Sequence, residues 1–139
     1  TEDYGITICA LLVENDFSQD LQREVSFVNE ACELAANLEV GVVRINALMR
    51  TIPGYSIHDY VERTVEALRP CLKSCANLGV SLAIENHGVI ANNRDFLLRV
   101  LNELPSEYLG LTLDTGNFYW FGYALSAAKT RRGAHEAAL

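Results

Sequence analysis

The hydrophobic period of this chain switches back and forth between that of a strand and that of a helix. This alternation restricts the possible folds more than any other feature of the sequence. Residues 5–13 form a β-prone apolar run, and Ser18 offers an N-cap for a helix. Leu21, Val25, Val28, Cys32 and Ala35 then recur at spacings of four and three, which places them on one helix face. Val40–Asn46 is the next strand candidate. Ser56 with Asp59 forms a capping-box pattern ahead of a second stripe: Val61, Val65, Leu68, Leu72 and Cys75. Pro70 lies inside that stripe and is expected to kink the helix or split it near Arg69, but the stripe continues past it, so one helix is expected. Gly79 suits a helix C-terminus, and Val80–Glu85 is the third strand. Asn92 or Asn93 caps a shorter helix carrying Phe96, Leu97, Val100 and Leu101, which stops before Pro105. Tyr108–Asp114 is the fourth strand, and a last helix is expected near Leu125. The order βαβαβαβ predicts an α/β fold with a parallel sheet.

Parity within the strands separates two versions of that fold. Ser81, Ala83 and Glu85 share one face, with Leu82 and Ile84 opposite; Gly110, Thr112 and Asp114 share one face, with Leu109, Leu111 and Leu113 opposite. Arg44 and Asn46 likewise oppose Val43 and Ile45. A doubly wound sheet is covered by helices on both faces and wants apolar residues on both. One greasy face and one small-or-polar face suit a TIM (β/α)8 barrel, with its chemistry at the C-terminal strand ends. A whole barrel takes about 250 residues, and this chain has 139. The expectation is therefore four consecutive units, a half-barrel or truncated barrel. It would be either a fragment of a longer enzyme or a unit that pairs with another copy as a homodimer or higher oligomer. Residues 1–139 read as one partial domain, with 123–139 a divergent or truncated tail.

Charge narrows the partners. Eleven Lys and Arg against 18 Asp and Glu give a net charge of −7, which disfavours nucleic acid and a polybasic membrane anchor. No apolar run reaches the roughly 18 residues of a spanning helix. The sequence opens on Thr1-Glu2-Asp3, without Met and without a basic signal-peptide region, so a processed or excised chain is expected. The four cysteines, Cys9, Cys32, Cys71 and Cys75, match no common zinc or redox spacing. They are expected to be packed, reduced thiols in a cytoplasmic protein.

Two stretches carry candidate chemistry: Ile84-Glu85-Asn86-His87-Gly88 and Leu113-Asp114-Thr115-Gly116-Asn117-Phe118. Each puts a carboxylate at a strand end, with a polar group two or three residues on. A single carboxylate there is commonly a helix cap or a solvated charge. The matched pair on neighbouring strands instead points to half of a site for a hard divalent cation. His58 and His135 read as surface residues. The aromatic cluster Phe118, Tyr119, Trp120, Phe121 and Tyr123 reads as core, with a pocket lining as the alternative.

Leu-Ala-Ile-Glu-Asn-His-Gly followed by Leu-Thr-Leu-Asp-Thr-Gly-Asn-Phe resembles the sugar phosphate isomerase/epimerase family. This is the xylose-isomerase-like TIM-barrel superfamily, which also holds endonuclease IV. The resemblance runs to about Gly122 and includes Val-Val-Arg-Ile. It implies that the chain holds the third to sixth barrel strands, with Glu85 and Asp114 as metal ligands on the fifth and sixth. In the family a His from the seventh strand and a Glu from the eighth complete the site; neither strand is in this chain. Many members carry His where this chain has Asn117, which cannot shuttle protons. The resemblance implies a sugar or sugar phosphate substrate and a Mn²⁺, Mg²⁺, Co²⁺ or Zn²⁺ cofactor. The reaction would be isomerisation or epimerisation through an enediolate, with Glu85 also an acid–base group. His87, Asn117 and Arg44 would orient hydroxyls or a phosphate; Arg44 reads equally as an ion pair to Glu85 or Asp114. The rivals are an inosose dehydratase-like or endonuclease IV-like enzyme, and a non-catalytic, self-associating half-barrel.

Overall fold

The structure is a computed structural model and describes residues 4–117. Its centre is one sheet of four parallel strands in the spatial order β1-β2-β3-β4, which is also their order in the chain. The strands are β1 (Leu11–Leu12), β2 (Val42–Ile45), β3 (Ser81–Glu85) and β4 (Leu109–Thr112). The crossovers are α1 (Leu21–Asn37), α2 (Ile57–Leu78) and, between β3 and β4, α3 (Gly88–Ala91) with α4 (Arg94–Glu103). A doubly wound sheet reverses direction at a switch point. These four strands never do, and the arrangement matches part of a TIM barrel.

Strand parity sets the two sides of the sheet. Val43, Ile45, Leu82 and Ile84 are fully buried beneath the helices. The α1 helix packs on β2 and α2, and α2 packs on β3 and α4. Val28, Cys32 and Ala35 of α1 meet Val61, Leu68 and Cys75 of α2 within the same core. Arg44, Asn46, Ala83 and Glu85 line the opposite, inner face.

Several local expectations are corrected. The run over 5–13 contributes only Leu11 and Leu12 to the sheet. Register sets Leu11 opposite Val43, so residues before Ala10 would face the α1–β2 turn, where Glu39 has φ 57°, and find no strand to pair with. Ser18 is not the cap of α1. Its hydroxyl is committed to Asp16 Oδ1 at 2.6 Å, and Asp20 caps the helix through Arg23 N at 3.0 Å. The helix expected to continue past Pro70 does so: Pro70 does not split α2. Pro70 and Glu66, the residue whose carbonyl loses its donor, are both exposed, so water can satisfy that carbonyl. Leu111 and Leu113 are exposed rather than packed under a helix, because β4 is the outermost described strand. Cys9 is exposed, unlike the three buried cysteines.

Other expectations hold. The Ser56–Asp59 capping box forms in both directions, and Gly79 ends α2 with φ 68°. Asn93, not Asn92, caps α4, accepting from Asp95 N and Phe96 N. The short α3 was not legible, since four residues are too few for a periodic stripe. The helix expected near Leu125, the aromatic cluster from Phe118, His135 and the tail 123–139 lie outside the described residues.

Candidate active site at the C-terminal strand ends

All four strands end on the same side of the molecule, and each delivers a polar residue there. After β1 the chain turns through Asn15 and Asp16. Asn15 and Asn46 hold each other in a reciprocal amide clasp: Asn15 Nδ2 donates to Asn46 O at 2.9 Å, and Asn46 N donates to Asn15 Oδ1 at 2.9 Å. This extends the β1–β2 pairing beyond the point where the backbone ladder stops. Asn86 does the same between β3 and β4. Its Oδ1 accepts from Asp114 N at 2.7 Å, and its Nδ2 donates to Asp114 O at 3.0 Å and to Asn92 Oδ1 at 3.1 Å.

Glu85, at the last position of β3, is 5% exposed. Burying a carboxylate is costly unless it is paired and hydrogen-bonded, and both conditions are met. Arg44 Nε on β2 lies 2.5 Å from Glu85 Oε2. Asn117 Nδ2 donates to Oε1 at 2.9 Å, and His87 Nδ1 lies 3.7 Å from the same oxygen. Arg44 is itself steered by hydrogen bonds from Nη1 to Val13 O at 3.1 Å and Asn46 Oδ1 at 3.2 Å. The ion pair is therefore with Glu85, not Asp114.

Asp114 follows the end of β4. Thr112 is the register partner of Glu85, so Asp114 is the next residue along on the same face. Its Oδ1 accepts from Gly116 N at 2.7 Å. Its other oxygen meets no hydrogen-bond donor among the described residues. Asn117, in the first helical turn after β4, links the two carboxylate positions: its side chain holds Glu85 while its N–H donates to Asp114 O at 3.2 Å. All five residues singled out in the sequence (Arg44, Glu85, His87, Asp114 and Asn117) are thus at this end of the sheet. His58 is on the surface, 3.4 Å from Glu62.

Asn15, Asp16, Asn46 and Asn86 were missed as site residues. Their signal was present as a recurring Asn just past β1, β2 and β3. Asp16 is a buried hub: it accepts from Ser18 N at 3.0 Å, Ser18 Oγ at 2.6 Å, Met49 N at 3.0 Å and Gln19 Nε2 at 3.3 Å. With Asn15, Asn46, Met49, Arg50 and His87 it lines a hollow of about 260 Å³ next to Glu85. Gly88 lets β3 turn against that wall. It has φ 80°, and a Cβ there would sit 3.3 Å from Leu48 O.

Burial raises the Asp16 carboxyl, but the bonds from Ser18, Met49 and Gln19 outweigh it and hold the group below its ordinary 3.8. The unfolded chain then binds the proton more readily than the folded one. Ionised Asp16 stabilises the fold above pH ~3.8, and this contribution fades as pH falls through the lower folded value. Melting temperatures of wild type and Asp16→Asn, followed from pH ~7 to ~2.5, should converge at the acid end. Parallel curves would show that Asp16 does not couple to folding.

The donor chemistry bears on a bound cation. Glu85 and Asp114 offer hard carboxylate oxygens at neighbouring strand ends, and a carboxylate oxygen with one partner retains a lone pair for a second. A metal-bound carboxylate is commonly hydrogen-bonded from behind, the part that Arg44 and Asn117 play at Glu85. The pair fits half of a divalent-cation site. Among the described residues no cluster of three or more His, Cys, Asp or Glu side chains is arranged to hold a metal alone.

The xylose isomerase-like TIM barrel family matches residues 1–137. The chain belongs to this family. Solved structures share the fold. A D-tagatose 3-epimerase-like protein superposes with a TM-score of 0.70 at 19% identity, covering 85% of this chain and 48% of its own. L-ribulose 3-epimerase gives 0.70 at 18%, covering 91% and 46%. The IOLI protein, solved with a zinc atom bound, gives 0.69 at 17%, covering 94% and 51%. This xylose isomerase-like chain thus spans about half the length of these relatives. No curated protein matches it. Among the described residues no helix is long and apolar enough to cross a membrane.

Proposed function

We propose that this chain carries half of the active site of a sugar or sugar phosphate isomerase/epimerase. The supporting observation is Glu85: a buried carboxylate at a barrel-strand end, gripped by Arg44 from one side and Asn117 from the other. Glu85 and Asp114 would hold a divalent cation, whose charge stabilises the oxygens of an enediolate. Glu85 takes the proton from the carbon beside the substrate carbonyl. Arg44 fixes Oε2, so the carboxylate presents one orientation to that carbon. Asn86 sets the position of Asp114 through its backbone. His87 and Asn117 orient substrate hydroxyls, and neither Asn117 nor Arg44 is needed as a proton carrier. The remaining donors, and the group that returns a proton to the opposite face, come from barrel strands outside this half, in the same protein or in a second copy.

Exchange of the ketose proton next to the carbonyl for deuterium, followed by NMR in D₂O with Mn²⁺ present, tests this reading. The protein bearing this chain should catalyse exchange, and Glu85→Gln should reduce it by at least ~10²-fold. One rival is favoured by a specific observation. Arg44 neutralises Glu85, as expected for a half-barrel that keeps the site's frame without its chemistry. Wild-type protein that takes up Mn²⁺ and still exchanges nothing would establish that rival.

A further inference from the structure

On the helix side of the sheet, away from Glu85, three cysteines lie in the contact between α1 and α2. Cys32 of α1 and Cys75 of α2 are both fully buried, and their sulfurs are 3.5 Å apart. Cys71 lies one turn before Cys75 on the same helix. Its thiol is occupied elsewhere, 3.3 Å from Ala67 O in its own helix. Nothing in the proposed chemistry uses any of the three. A hydrophobic contact needs no sulfur, and two thiols in van der Waals contact across two helices need only a small approach to reach bonding distance.

We propose that Cys32 and Cys75 form a redox-sensitive pair, which a hydroperoxide converts to a disulfide clipping α1 to α2. The hydrogen bond shared with Cys75, with burial adding to it, pushes the Cys32 thiol well above its usual range. The same hydrogen bond lowers that of Cys75; the contact is symmetric between the two sulfurs, and the steps are written with Cys75 attacking first. Burial pushes Cys71 up to about 12, so it stays a thiol. Cys75 attacks the O–O bond of hydrogen peroxide: an S–O bond forms, the O–O bond breaks, and one water leaves with the thiol proton. Cys32 then attacks the Cys75 sulfur: the S–S bond forms, the S–O bond breaks, and hydroxide leaves as water with the Cys32 proton. Two thiols are oxidised by two electrons in all, and one peroxide is reduced to two waters. The closed loop runs from α1 through β2 to α2, so the link braces the two helices behind β2 and leaves the inner face alone.

Trypsin separates the four cysteines cleanly. Cys9 falls on residues 1–23, Cys32 on 24–44, Cys71 on 64–73 (Arg69 precedes Pro70 and resists cleavage) and Cys75 on 74–94. Folded protein is treated with hydrogen peroxide, blocked with N-ethylmaleimide and digested without reductant. The expected product joins 24–44 to 74–94, lighter than the two peptides by two hydrogens. It should persist in Cys71→Ala and vanish in Cys32→Ala. Oxidised wild type should melt ~5 °C or more above reduced protein, a comparison that needs no variant to fold. The proposal is overturned if Cys32 joins Cys71 or Cys9 instead, if the link appears only in denaturant, or if both thiols remain fully alkylatable after unfolding. A link that left the melting temperature unchanged would remove its bracing role.

Discussion

Replacing Arg44 with Met should destabilise the protein by about 3–5 kcal/mol, because Glu85 is then left buried without its charge partner. The Arg44 and Glu85 side chains are only 13% and 7% exposed, so solvent screens the pair little. Asn117 alone cannot replace a guanidinium at 2.5 Å. The double variant Arg44→Met/Glu85→Gln should recover most of that loss, since no charge is stranded and the new side-chain amide can still accept from Asn117. Urea titrations of the single and double variants give both numbers from the shift in midpoint at constant slope. A loss below about 1 kcal/mol in Arg44→Met would mean that the pair behaves like an exposed surface bridge. The outcome also bears on function. A carboxylate that depends on its arginine for folding carries a structural duty besides any catalytic one, and Glu85→Gln is then the gentler probe of chemistry than Glu85→Ala.

Phe17→Ala should cost about 3–5 kcal/mol, the range for removing a fully buried aromatic ring. Phe17 has no exposed surface, although it sits in the loop between β1 and α1. Its N–H donates to Ala47 O at 2.9 Å, and its carbonyl accepts from Arg63 Nε at 2.5 Å. These backbone bonds tie the loop after β1 to the loop after β2 and to α2, and the buried ring fills the space beneath them. Asn15 and Asp16 are its immediate neighbours, so the cavity opens directly beneath the wall of the hollow beside Glu85. Chemical denaturation measures the loss. A change under about 1.5 kcal/mol would mean that the loop collapses into the space and leaves little residual cavity. Solvent-side truncations on α1, such as Leu34→Ala, provide the small-effect comparison.

The contrast between Phe17 and Glu85 shows what could be read from the sequence. Glu85, Asp114 and Arg44 were legible because strands have a two-residue period, so identity and position together fix the face. The four parallel strands were legible for the same reason, and the family resemblance agreed with them. Phe17 was not legible, because a loop has no period and its burial depends on where two other loops pass. The continuation of α2 through Pro70 was legible because the apolar stripe runs on past it, and the cost of the missing N–H is small where the bereft carbonyl faces water. The length of β1 misled because apolar composition marks a capacity to pair, and only register decides whether a partner is present. Asn86 was noted as part of a motif, but its role as a side-chain splint between β3 and β4 depends on a hydrogen bond 28 residues along the chain.

Strand order equal to chain order has a consequence for how the molecule comes into being. Each βα unit docks beside the one made just before it, so during synthesis the ribosome releases the pieces in the sequence in which they fit. The amide clasp of Asn15 and Asn46 can close once β2 has emerged, while Arg44 still lacks its counter-ion. Glu85 arrives with β3 and finds the guanidinium already steered by Val13 and Asn46. Asn86 then waits for Asp114, and Asn117 closes over Glu85 last. Arg44 thus leaves the ribosome before Glu85, so the cation is available when the carboxylate is buried.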